Sequence, residues 1–155
     1  MQSAVLTPDE DRQAIAALIA RQFASLNWRP GEPADWAAFG ADFHAAAALY
    51  PSARPLDPQA PADFVARMQK LSQTSLRSFE ESLLGIEIRI FGNVAVAVAA
   101  CEAVENASET GRTVEMMLLV KETGAWRIVA QAWDKATPVL PVPETLLGAG
   151  TRPPR

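Results

Sequence analysis

The sequence predicts an α+β domain in which helices come first and a sheet of about four long antiparallel strands follows. Two observations carry this reading. Apolar residues recur at three- and four-residue steps up to about residue 75, then alternate with a period of two after residue 78. The two regimes do not interleave, so the sheet is not assembled from strand-helix-strand units. With 155 residues, 49% of them hydrophobic, the chain can bury one full core without metals or disulfides.

Thr7, Pro8 and Glu10 have the order of a helix start: an N-cap, a residue with fixed φ at the first helical position, and a carboxylate placed to close a capping box. From there Ile15, Leu18, Ile19, Phe23 and Leu26 form one apolar stripe over about five turns. The segment "NWRPGEPAD" ends that helix. A second, shorter helix is expected from about Ala34 to Phe43, with Trp36, Phe39 and Phe43 along one side. "HAAAALY" continues as helix or as a small strand, and periodicity does not separate the two. The run "PSARPLDPQAP" is a loop, because its prolines cannot sustain a helix or a ladder. A third helix follows at about Pro61 to Ser75, with Phe64, Met68 and Leu71 on its buried stripe.

The first strand is "SLLGIEIRIF", with Leu84, Ile86, Ile88 and Ile90 on one face and Glu87 and Arg89 on the other. Gly92 and Asn93 form a two-residue hairpin turn. The next strand, Val94 to Val104, places Val94, Val96 and Val98 opposite Ala95, Ala97, Ala99 and Cys101. A strand apolar on both sides belongs in the middle of a sheet that is covered twice. "TVEMMLLVK" and "WRIVAQAW" supply the third and fourth strands. Residues 1–137 read as one domain, and 138–155 as a proline-rich tail, extended and disordered at its end, whose Leu146 and Leu147 are free to dock.

The chain carries a formal net charge of −4 and no basic cluster, so neither nucleic acid nor an anionic membrane surface is an expected partner. The acidic start "MQSAVLTPDEDR" does not read as a secretory signal, and the longest apolar stretch, Ile90 to Cys101, is shorter than the roughly 20 residues a membrane span needs. One cysteine cannot form an internal disulfide, and a cytoplasmic location is expected.

Taken together, "ADWAAFGADFHAAAALY", the hairpin around "FGNVAVAVAACE" and the last strand "GAWRIVAQAWDKA" resemble the NTF2-like superfamily, in particular its SnoaL-like and DUF4440-like small proteins. The resemblance covers roughly residues 8 to 136. It implies a cone-shaped fold in which three helices close one side of a strongly curved sheet over a pocket, while the outer face pairs with a second subunit as a homodimer. Which face of strand 94–104 does which stays open.

The family's isomerases, dehydratases, cyclases and hydrolases use pocket carboxylates or histidine, so the resemblance directs attention to such groups. Ketosteroid-isomerase-like members carry an Asp-Ala pair after the second helix and a catalytic Asp shortly beyond. The matching positions here are Ala46 and Ala47, then Tyr50, Pro51 and Ser52, without a carboxylate. The remaining catalytic candidates are His44, Glu87 and Glu115, with Tyr50 in support. His44 also reads as a polar residue at a helix end, and Glu87, Arg89 and Glu115 as cross-strand pairs or interfacial salt bridges. Trp36, Tyr50, Met116, Met117, Gln131 and Trp133 are the candidate lining of a ligand site, although Trp36 and Trp126 also read as core. Cys101 reads as an inert buried thiol. One His and one Cys fall short of a usual ligand set, so neither metal nor cofactor is expected. The leading expectation is therefore binding of a small apolar organic molecule. The alternatives are a SnoaL-like isomerase, cyclase or hydrolase, and a dimerisation module whose pocket its own side chains fill.

Overall fold

A computed structural model describes residues 6–147. Helix α1, Pro8–Ser25, begins with the expected capping box: the Thr7 amide donates to the Glu10 carboxylate at 2.7 Å, and the Glu10 amide donates to Thr7 Oγ1 at 3.2 Å. Ile15, Leu18, Ile19, Phe23 and Leu26 are all buried. Helix α2, Trp36–Ala41, is capped by Asp35, whose carboxylate accepts from the Ala38 amide at 3.0 Å. It stops two residues before the expected Phe43, because the chain there enters strand β1, Phe43–Tyr50. "HAAAALY" is thus strand: its partner along one edge of the sheet supplies the hydrogen bonds that an alanine-rich segment otherwise finds in a helix. Helix α3, Pro61–Leu71, buries Phe64 and Met68. Its expected end at Ser75 and its expected buried Leu71 are both corrected, since Leu71 stands at the last turn and is 39% exposed.

Strands β2 (Phe79–Phe91), β3 (Val94–Glu105), β4 (Glu109–Glu122) and β5 (Ala125–Lys135) form an antiparallel meander, and β1 adds parallel to β5. The order is β1-β5-β4-β3-β2, a curved, unclosed five-stranded sheet with three helices. Gly92, at φ +58°, takes the left-handed conformation the β2-β3 hairpin requires. Register irregularities between Leu83 and Gly85, and between Leu118 and Leu119, bend the strands. The first one moves Leu84 off the face it was expected to share with Ile86, Ile88 and Ile90, and Leu83 packs on the core in its place.

The two faces of β3 differ in what covers them. Ala95, Ala97, Ala99 and Cys101 point to the concave, helix-covered side and are buried. Val94 and Val96 stand on the convex side at 48% and 46% exposure, so within one chain this strand is not covered twice along its length. After β5 the chain turns back and forms a short 3-10 turn, Glu144–Leu146, that packs against β2 and β3 and buries Leu146. The expected disorder at the chain's end falls on residues outside those described. Among the described residues no helix is long and apolar enough to cross a membrane.

At one end of the sheet Asp11 of α1 closes the core. Its carboxylate accepts from Lys121 Nζ at 3.1 Å and from Trp126 Nε1 at 2.9 Å, all three side chains being largely buried. The opposite end stays open.

Candidate functional site

At the open end the concave face, α1 and α3 enclose a cavity of about 520 Å³. Aromatic and aliphatic side chains from α1, α2, α3 and the sheet make up about half of its lining, and Arg67, Glu105, Glu109, Arg112 and Lys135 add charge. Phe39 lies 5.4 Å from Phe64, centroid to centroid, and Phe64 meets Trp133 edge-on at 5.7 Å. Arg67 sits over the outer face of Phe64 at 5.4 Å, so a cation marks one side of the opening.

One group of polar side chains on four adjacent strands meets at this cavity, with Cys101 fully buried beside its lining. Glu81 on β2, Cys101 on β3, Thr113 and Glu115 on β4, and Gln131 on β5 all project to the concave side, because bulge and register bring alternate residues of each strand into one row. The Cys101 thiol donates to Glu81 Oε2 at 3.5 Å and lies 2.8 Å from Thr113 Oγ1. Gln131 is held by Gln22 of α1 through a reciprocal amide pair at 2.8 and 3.3 Å. Glu115 is 7% exposed, and its Oε2 is buried with no hydrogen-bond partner. An orphaned buried carboxylate oxygen is costly; Asp42 Oδ2 is another, but the Asp42 carboxylate is paired with Arg21 through its other oxygen, whereas Glu115 has no cationic partner among the described residues.

Burial raises the Glu115 carboxyl well above the ordinary carboxylate range, and the charge of Glu81 raises it further, with the Gln131 amide acting in the opposite direction. Burial likewise pushes Glu81 up to about 7, against the pull of the Cys101 hydrogen bond. The Cys101 thiol is raised too, first by burial and then by the two carboxylates. Among the described residues none of these groups is paired with a Lys, Arg or His. Glu81, Cys101 and Glu115 each offer a donor atom, and those atoms lie within 4.8 Å of one another.

Of the candidate residues, Glu115, Gln131 and Trp133 line this cavity. Met117 is buried on the concave side but belongs to the closed core. The other placements are corrections. Met116 is 60% exposed on the convex face, one step out of phase with Met117. Glu87 is exposed on that face, opposite Val98. Trp36 packs on Trp28 at 5.9 Å and lines a separate outer cleft beside α3. Tyr50 ends β1, half-buried, outside the cavity. His44 sits at the start of β1, where Nδ1 accepts from the Ala46 amide at 3.0 Å and Nε2 lies 3.6 Å from Glu122. Sequence reasoning missed Glu81, Thr113 and Gln22. Unbroken alternation from Phe79 would put Glu81 in phase with Glu87 and Arg89 on the outer face, and only the bulge between Leu83 and Gly85 turns it inward.

No protein-family model matches the chain, and no curated protein matches it. Solved structures do. An NTF2-like protein of unknown function from Pseudomonas putida aligns over 97% of this chain and 100% of its own, with a TM-score of 0.66 at 14% identity. A protein of unknown function with a cystatin-like fold from Nostoc punctiforme aligns over 89% and 98%, at 0.66 and 18%. An NTF2-like protein of unknown function from Shewanella baltica aligns over 86% and 99%, at 0.62 and 13%. The chain has the NTF2-like, cystatin-like fold.

Proposed function

We propose that the protein binds a small, largely apolar organic molecule in the cavity at the open end of the sheet, and that Glu115 anchors an oxygen function of that molecule. The observation that carries this is the orphaned Oε2 of Glu115 at a wall it shares with Phe39, Phe64 and Trp133: a buried oxygen left unpaired there gains a partner when something enters. The aromatic walls supply affinity and the unpaired carboxyl supplies orientation. Native mass spectrometry of gently purified protein tests the reading. A co-purifying mass is expected with the unmodified chain and absent from Ala103→Leu, which pushes a larger side chain into the cavity from β3. Retention of the same molecule by that variant would refute it.

The second carboxyl, Glu81, favours a further reading in which one of the pair moves a proton on the bound molecule. Turnover lost in Glu115→Gln or in Glu81→Gln while binding persists would support it, and unchanged turnover in both would remove it.

The convex face suits pairing with a second copy of the chain. Val94, Val96, Met116 and Leu118 are exposed there on adjacent strands, an apolar area that a sheet-to-sheet homodimer buries. Sedimentation of a dimer at micromolar concentration is expected, and a monomer refutes the pairing.

A further inference from the structure

We propose that Glu81, Cys101 and Glu115 form a binding site for one divalent cation of the zinc class, with an open coordination position facing the cavity. The donor set consists of two carboxylates and one sulfur on three neighbouring strands. Zinc accepts both donor types, at about 2.0–2.2 Å for oxygen and about 2.3 Å for sulfur. Ligand atoms around such an ion stand roughly 3.5 Å apart, and Cys101 Sγ is already 3.5 Å from Glu81 Oε2. All three donor atoms fall within 4.8 Å of one another, so rotamer changes alone close the set, and the sheet's register holds the backbone in place.

A second observation separates this cluster from a chance gathering of acids. Glu115 is more than nine-tenths buried, its Oε2 lacks any partner, and it faces the other two donors. The neighbours that do bond the cluster are neutral: Thr113 on Cys101, and the Gln22-Gln131 pair beside Glu115. That is the arrangement of an outer shell that orients ligands without competing as a countercharge. Three protein ligands and an open cavity leave the fourth position to water or to an oxygen of the bound molecule.

With the ion in place, the oxygen function of the organic molecule reaches Glu115 through the ion rather than directly, and the test uses metal alone. The full chain, stripped with a chelator, is titrated with Co²⁺ and Zn²⁺. One equivalent of Co²⁺ is expected to bring a thiolate-to-cobalt charge-transfer band that Zn²⁺ bleaches, together with a higher unfolding temperature. Cys101→Ser is expected to lose the charge-transfer band, and Glu115→Gln and Glu81→Gln each to weaken binding at least tenfold, with circular dichroism confirming that each variant is folded. A folded unmodified chain that binds neither ion overturns the proposal, as does binding that survives in Cys101→Ser/Glu115→Gln at unchanged affinity. A His44→Ala control, expected to bind normally, excludes the exposed His44-Glu122 pair as the source of the signal. Failure of this titration leaves the co-purification test of the cavity intact, and the reverse also holds.

Discussion

Replacing Glu81 by Gln in the metal-free protein should change how stability depends on pH in a direction opposite to that of most carboxylates. In the folded chain burial raises the Glu81 carboxyl from 4.5 to about 7. The native state therefore keeps a proton that the unfolded chain has released, so the contribution is fully present below pH 4.5 and is lost as pH rises through about 7. The gap of about 2.5 pH units, at about 1.36 kcal/mol each, amounts to about 3 kcal/mol of lost stability. Glu115 is shifted the same way by the same cause and adds to the fall. Glutamine has nearly the same shape and no charge to desolvate. Urea unfolding followed by tryptophan fluorescence, with a chelator present, should show Glu81→Gln gaining on the unmodified protein by about 3 kcal/mol between about pH 4 and pH 8. A difference between the two proteins that stays constant over that range would refute the reasoning, because it would mean that Glu81 ionises with water access in the folded chain.

Three further outcomes follow from other parts of the molecule. Asp11→Asn leaves the Lys121 ammonium buried without its partner and should cost about 3 kcal/mol by urea unfolding at neutral pH. Leu146→Ala, which empties the contact between the 3-10 turn and strands β2 and β3, should cost about 2–3 kcal/mol, and equal stability would show that the tail is not part of the cooperative unit. Val96→Lys with Leu118→Lys should convert a sedimenting dimer to a monomer at little cost to the unfolding of the single chain, since both positions are nearly half exposed there.

Much of the fold was legible because local chemistry and global packing agree. The Thr7 capping box, the α1 stripe and the Gly92-Asn93 turn each specify one conformation, and the structure adopts it. Legibility ended where two partners share one pattern. The alanines of β1 suit a helix as well as a strand, and only β5 decides between them. Alternation said that Met116 and Met117 face opposite ways, but which of them points inward depends on the register with β5, which no local signal carries. Glu81 was hidden for a related reason: it lies on the far side of a bulge from the regular alternation of Ile86, Ile88 and Ile90. Glu115, an acid in the strand "TVEMMLLVK", was the visible trace of the site, because a carboxylate on an inward-facing position needs a reason to be there.

The unusual distribution of side-chain size on β3 explains where the cavity lies. A sheet with one buried face ordinarily puts its bulkier residues inward, yet here alanine and cysteine face the helices and valine faces outward. Bulges in β2 and β5 bend the sheet, and on the concave side of a bent sheet neighbouring side chains converge, so small residues are what fit. On the convex side they diverge and leave room for branched ones. Where α1 and the Asp11-Lys121-Trp126 cluster press onto the alanines, the space is filled. Toward the other end Ala103 lines the cavity, and the same small residues that permit the bend leave a hollow bounded by α3 and Trp133. The next positions along those strands, in phase with the alanines, are Glu81, Cys101 and Glu115. Curvature, cavity and polar cluster thus share one origin in the phase of four strands, so a single-residue slip of β4 against β3 would abolish the cavity lining and turn Glu115 out to solvent.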